Sequence, residues 1–200
     1  FDHVERAGEA VQHLLPLGPS AVEILDRTAL DLIRRSRPDL VPHLPEGIAA
    51  QLFIECDGAT TEETEDACRR IVEAVGPLAT SHTFAFDKGT QTMLMGVRKA
   101  TLPIVYSKPG PKRVTAFIED VTVPPERLGE FIGELNRLFD RHSVEAVMYG
   151  HAGQGNLHVR PMLDLKDGGD IRTMKRLAEE TFGIVKRYGG SMSGEHGDGR

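Results

Sequence analysis

Apolar residues along this 200-residue chain switch repeatedly between helical and strand-like spacing, and that alternation limits the fold to mixed helix and sheet. Residues 4–15 repeat at helical spacing and stop at Pro16, and residues 21–25 form a short apolar run of strand length. Residues 28–35 return to helical spacing and close on basic side chains before Pro38, and a proline-interrupted loop covers 39–47. The run 49–56 (AAQLFIEC) reads as a strand ending in the turn pair Asp57-Gly58. A helix capped by Thr60 or Thr61 follows, through Val75, with acids in its first turn. Residues 81–86 read as a strand, 88–98 as a helix and 103–112 as a Pro/Gly-rich loop. Residues 115–123 form a further strand, and Pro124-Pro125 opens a helix to about His142. Strands at 144–149 and 157–162 flank a glycine-rich turn, and the longest helix, 170–188, ends at Gly189-Gly190.

That order predicts an α+β fold, an antiparallel sheet with helices on one face, arranged as two ferredoxin-like (split βαβ) units. The alternative is a parallel, doubly wound sheet. No GxGxxG follows the first strand, which weighs against it.

A net charge of −6 and the lack of any Lys/Arg run exclude nucleic acid as a partner. No stretch approaches 18 apolar residues, and the first twelve residues carry charge throughout, unlike a signal peptide. Cys56 and Cys68 are expected as reduced thiols, which fits a cytoplasmic setting, and two cysteines cannot ligate an iron–sulfur cluster. The chain opens without Met and stops on SGEHGDGR, so it is expected to be one domain (1–200) of a longer protein.

Chemistry concentrates in two segments. In MYGHAGQGNLHVRP (148–161), His151 and His158 flank a glycine turn. If the flanking strands pair as a hairpin, directly opposed Cβ atoms lie about 5 Å apart, close enough for two imidazoles on one ion. The plainer alternative is a hairpin with two surface histidines. In GGSMSGEHGDGR (189–200), Glu195 and His196 sit between glycines, and the plainer alternative is a solvated tail. Taken together, His151, His158 and Glu195 make a three-ligand set with open positions, the pattern of a catalytic metal site, with His196 beside it as a base.

The pair HAGQGNLH and SGEHGDGR resembles the two signatures of the C-terminal domain of FAD-linked oxidases, the group of glycolate oxidase flavin subunits, D-lactate dehydrogenases and D-2-hydroxyglutarate dehydrogenases. SAVEILDR, GVRKATLP and FIEDVTVPPERL support the likeness over nearly the whole chain. The resemblance implies an α+β cap over FAD held by a separate N-terminal flavin domain. It implies that His151, His158 and Glu195 hold a divalent metal (Zn, Mn or Fe) and that His196 is the general base. It places Arg98 and Arg160 toward the substrate carboxylate, and Gly155 and Asn156 toward the cofactor. Gln154 departs from the family's usual Asp in the turn, without touching the ligand set. The HVRP and FIEDVTVP arrangement is most similar to members fused to a C-terminal iron–sulfur region, which would then be the electron acceptor.

The implied reaction oxidises a small D-2-hydroxy acid to a 2-oxo acid, with hydride passing to FAD. A metal-dependent hydrolase and a catalytically silent binding domain are the rival readings. Several expectations follow for the chain alone. It should be inactive and retain no FAD, and should expose an apolar face that favours a homo-oligomer. Its setting should be cytoplasmic, with peripheral membrane association as the variant. Near the chain's end, the Glu195 arm should be displaced from a preformed histidine pair.

Overall fold

The computed structural model describes residues 1–196. Six α-helices and six strands follow in the order α1 (Val4–Leu14), β1 (Ala21–Asp26), α2 (Arg27–Ser36), β2 (Ala50–Glu55), α3 (Thr61–Val75), α4 (Lys88–Ser107), β3 (Arg113–Val114), β4 (Val121–Thr122), α5 (Leu128–His142), β5 (Ala146–Gly150), β6 (Asn156–Leu163) and α6 (Gly168–Arg187). The strands join one sheet in the order β2-β1-β5-β6-β3, with β4 also paired to β6, and every pairing is antiparallel. The division into two ferredoxin-like units is one that this continuous sheet does not draw by itself.

The expectation of helices on one face is corrected by the burial pattern. Val22, Ile24, Met148, Leu157 and Val159 pack with α1, α3, α5 and α6, whereas Leu25, Phe53, Val147, Tyr149 and Met162 pack with α2 and α4. Successive strand residues point to opposite faces, so both faces are covered. All of β5 and β6 is buried for the same reason.

Local chemistry sets the helix starts. The Asp26 carboxylate accepts the Ala29 N–H and caps α2, Thr60 caps α3 through Glu63 N–H, and Asp87 caps α4 through Thr90 N–H. α4 continues past its expected end at Arg98 and through Pro103 to Ser107. The stretch 103–107, expected as loop, is therefore helical, and it carries Tyr106.

Two expected strands change. Residues 81–86 alternate as a strand would but pair with nothing described, and Phe84 and Phe86 instead stack at 5.1 Å while partly exposed. Residues 115–123 join the sheet only at their ends. Between β3 and β4 the backbone leaves the ladder and turns at Glu119 and Asp120, which delivers both acids to one end of the sheet. Cys56 and Cys68 are free thiols, and burial, with Cys68 alongside, pushes the Cys56 thiol up to about 12. Among the described residues no helix is long and apolar enough to cross a membrane.

Candidate functional site

Three strands, β1, β5 and β6, bring one end together on the α2/α4 face, where the turn at Glu119-Asp120 and the segment 194–196 meet them. β5 and β6 pair with Tyr149 opposite His158, so His151 is not the direct partner of His158 but follows Gly150. The two imidazoles still meet, edge to face, with ring centroids 5.4 Å apart.

Each ring has one nitrogen committed. His158 Nδ1 lies 3.1 Å from the Glu119 carbonyl oxygen, and His151 Nδ1 lies 2.5 Å from Glu23 Oε1. Oxygens of these kinds only accept, so both Nδ1 atoms carry the hydrogen and both Nε2 atoms present lone pairs. Those lone pairs meet one carboxylate oxygen. Glu195 Oε1 is 3.2 Å from His151 Nε2 and 3.3 Å from His158 Nε2. Burial holds the His158 imidazole below its ordinary pKa, which favours the neutral, ligating form.

The expected displacement of the Glu195 arm is therefore corrected, and Asp120 supplies the reason. Its buried carboxylate accepts the backbone N–H groups of Gly194, Glu195 and His196 at 2.8, 3.0 and 3.0 Å, and the Asn156 side-chain amide at 2.9 Å. Burial pushes the Asp120 carboxyl up, but the donors from His196, Asn156, Glu195 and Gly194 outweigh it and bring it down to about 2. Thr122 and Ser191 add a two-bond bridge just upstream. Gly194 fits here because a Cβ would overlap the Thr122 hydroxyl and the Asn156 amide.

His196 is placed by a second acid. Its Nδ1 lies 3.2 Å from Glu119 Oε1, its ring stacks on His158 at 5.4 Å, and its Nε2 stands 3.6 Å from Glu195 Oε1. With Nδ1 turned to Glu119, its Nε2 is the ring nitrogen on the Glu195 side. Asp120, His158, Glu195 and His196 offer ligand atoms within 4.8 Å of one another. The Asp120 oxygens are already filled by loop N–H donors, so His151, whose free nitrogen faces Glu195, is the better third donor. Two imidazole nitrogens and one carboxylate fit a divalent ion with open positions.

Both candidate substrate arginines lie in the site, and both are engaged. Arg98 Nε and Nη2 donate to Glu23 Oε2 at 2.9 and 2.6 Å. Arg160 donates to the Tyr149 hydroxyl at 3.1 Å and the Tyr106 hydroxyl at 2.8 Å, and pairs with Glu119. Gly155 has φ +67°, and a Cβ there would overlap the Val123 carbonyl oxygen, so its missing side chain is explained by packing. Asn156 is buried, and its Oδ1 has no hydrogen-bond partner among the described residues. Glu23, Glu119, Asp120, Tyr106 and Tyr149 escaped the sequence reading. For the acids a signal existed, since Glu23 sits inside AVEIL and Glu119-Asp120 inside FIEDVTV. An acid within a strand-like apolar run must be partnered if it is buried.

Comparison with known proteins places the chain in a family. The family described as FAD linked oxidases, C-terminal domain, matches residues 1–200. A D-2-hydroxyglutarate dehydrogenase of Pseudomonas putida is 36% identical over 118 residues, covering 59% of this chain and 12% of that protein. Glycolate oxidase subunit GlcD of Escherichia coli is 29% identical over 203 residues, covering 100% of this chain and 39% of that protein. The chain thus spans well under half the length of either relative. The solved structure of 4-ethylphenol oxidase from Gulosibacter chungangensis, in an isoeugenol complex, shares the fold with a TM-score of 0.59 at 12% identity, over 90% of this chain and 41% of that one.

Proposed function

The chain belongs to the C-terminal domain family of the FAD linked oxidases, and on that premise we propose that it is the substrate-side domain of a flavin-dependent 2-hydroxyacid dehydrogenase. The observation that supports this most directly is the convergence of His151 Nε2 and His158 Nε2 on Glu195 Oε1, with His196 alongside. In this reading residues 1–200 form one domain of a longer protein, and a separate domain holds FAD. The relatives named above, a D-2-hydroxyglutarate dehydrogenase and a glycolate oxidase subunit, suggest a small D-2-hydroxy acid as substrate.

His151, His158 and Glu195 would hold the divalent ion. When bound, that ion supplies Lewis-acid polarisation of the α-hydroxyl, and FAD supplies the hydride acceptor. His196 Nε2 takes the hydroxyl proton while the α-hydrogen leaves with its electron pair, giving the 2-oxo acid. Glu119 stands 3.2 Å from the other His196 nitrogen, a position from which it would favour the hydrogen on Nδ1 and leave Nε2 for the substrate proton. Arg98 and Arg160, although tied to glutamates, place positive charge on the face where a substrate carboxylate arrives. Asn156 Oδ1 is the acceptor assigned to the cofactor edge, with Gly155 holding the turn that presents it.

The test uses the full-length protein with D-lactate, glycolate and D-2-hydroxyglutarate, an artificial electron acceptor, and parallel flavin and metal analysis. Reduction of the acceptor by one of these acids, with both flavin and a divalent ion present, is expected. Metal without acceptor reduction, together with hydrolysis of an ester or amide, would replace the dehydrogenase by a hydrolase. Absence of flavin, metal and turnover would leave a silent binding domain.

A further inference from the structure

Glu23 faces the α4 side of β1, one strand removed from the proposed ligands, and each of its carboxylate oxygens has a separate task. Oε1 accepts from His151 Nδ1 at 2.5 Å, and Oε2 accepts from two nitrogens of Arg98 at 2.9 and 2.6 Å. The three residues come from β1, α4 and the turn after β5, separated by 75 and 128 positions in sequence, and only the fold brings them together. Arg98 is packed in turn, with its guanidinium over the Tyr149 ring at 5.4 Å, and Tyr149 lies against His158 at 5.2 Å.

We infer that Glu23 is a positioning residue for metal binding, fixing the ring orientation and tautomer of His151, and that Arg98 locks Glu23 in that role. The inference rests on the reading of His151 as a ligand. Three physical points carry it. An imidazole that ligates through Nε2 must keep its proton on Nδ1, and a carboxylate acceptor there also raises the basicity of the ligating nitrogen. Second, Glu23 and Arg98 are each only 18% exposed at the side chain, so a lone carboxylate here would be poorly solvated, and the guanidinium compensates its charge. Third, a plain ion pair with Arg98 needs no contact with His151. Both Arg98 donors to Glu23 reach Oε2, which leaves Oε1 to the imidazole.

The replacement Glu23→Gln separates this role from simple packing. An amide has one acceptor end and one donor end, whereas Arg98 and His151 Nδ1 are both donors. Whichever way the amide turns, one of them loses its acceptor. Glu23→Asp keeps two acceptors on a shorter arm and should give an intermediate result.

The experiment is metal titration of the full-length protein and the two variants with Zn2+ and Mn2+, read as dissociation constants and bound-metal content, with circular dichroism and melting to confirm folding. Glu23→Gln should weaken metal affinity by roughly 10–100-fold and Glu23→Asp by less, with the flavin spectrum unchanged. Wild-type affinity in either folded variant would overturn the inference. If the wild type itself binds neither ion, the reading of His151 as a ligand fails first, and the inference falls with it. If Glu23→Gln does not fold, Glu23→Asp alone decides: weakened binding supports the role and unchanged binding overturns it.

Discussion

The Asp120 carboxylate accepts the backbone N–H of Glu195 at 3.0 Å, and the same side chain collects the N–H groups of Gly194 and His196. One buried acid thus fixes the segment that brings a proposed ligand and a proposed base together. Charge-assisted bonds of this kind are each stronger than neutral ones, and they hold the Asp120 carboxyl at about 2 although burial alone would raise it. A folded-state value below the unfolded value of about 3.9 contributes stability above pH 4, which is lost as pH falls through about 2. Asp120→Asn keeps one acceptor oxygen but points an N–H2 group at backbone donors. It should accelerate hydrogen exchange at the Glu195 and His196 amides at least tenfold and lower metal affinity. Unchanged exchange at these two amides would show that the segment is held by something else.

His151 and His196 should separate metal from turnover. His151 has one nitrogen on Glu23 and the other 3.2 Å from Glu195, whereas His196 has one nitrogen 3.2 Å from Glu119 and the other 3.6 Å from Glu195. In the full-length protein, His151→Ala should lose both bound metal and acceptor reduction. His196→Ala should keep its metal while kcat falls by roughly 10²–10⁴-fold, the usual worth of a positioned general base. Metal content by elemental analysis alongside kcat decides it. Loss of metal in His196→Ala would make that residue a ligand instead.

Much of this was legible in the sequence, and the limits were physical. Cap residues are local chemistry, so a cap at Thr60 or Thr61 was readable before the helix was seen, and the structure selects Thr60. The two histidines sit seven residues apart about one hairpin, so their approach was legible, although the register pairs His158 with Tyr149 and His151 comes close only through the turn after Gly150. Their partners were a different matter. Glu23 reaches His151 across 128 positions and Asp120 reaches Glu195 across 75, and no local rule records which strands become neighbours. Arg98 and Arg160 looked like free cations because a sequence does not show the glutamates that engage them. The second helical layer was missed because a continuous apolar run in β5 is compatible with burial on one face or two until the neighbouring helices are placed.

Asp26 makes stability depend on pH in the opposite sense to Asp120. Burial pushes its carboxyl up to about 7, against the opposing pull of the Ala29 and Met148 backbone donors. A folded value above the unfolded one means that the protonated form is favoured in the fold. Its stabilising contribution is complete below about pH 4 and is lost as pH rises through about 7. Asn is as good an N-cap as Asp and carries no proton to lose. Asp26→Asn should therefore flatten the decline in urea midpoint between pH 5 and pH 8, leaving the variant the more stable of the two at pH 8. Parallel declines in both proteins would show that Asp26 does not titrate in this range.

Gly155 decides whether the turn between the two histidines is held by packing or by a bound group. Its backbone sits at φ +67°, and a Cβ would overlap the Val123 carbonyl oxygen while Val123 N–H donates back to the Gly155 carbonyl at 3.0 Å. The obstacle is main chain on both sides, so no side-chain rotation relieves it. Left-handed backbone costs a non-glycine residue about 1–2 kcal/mol, and forcing an added methyl against close-packed atoms costs about 1–3 kcal/mol more. Gly155→Ala should therefore destabilise the domain by about 2–5 kcal/mol in urea unfolding without ligands. A role confined to cofactor approach predicts something else: an unchanged midpoint for the domain alone, with flavin retention lost only in the full-length protein. The two outcomes differ in a measurement that needs no cofactor, and a midpoint shift in the isolated domain assigns Gly155 to the close approach of the histidine turn and the chain after β4.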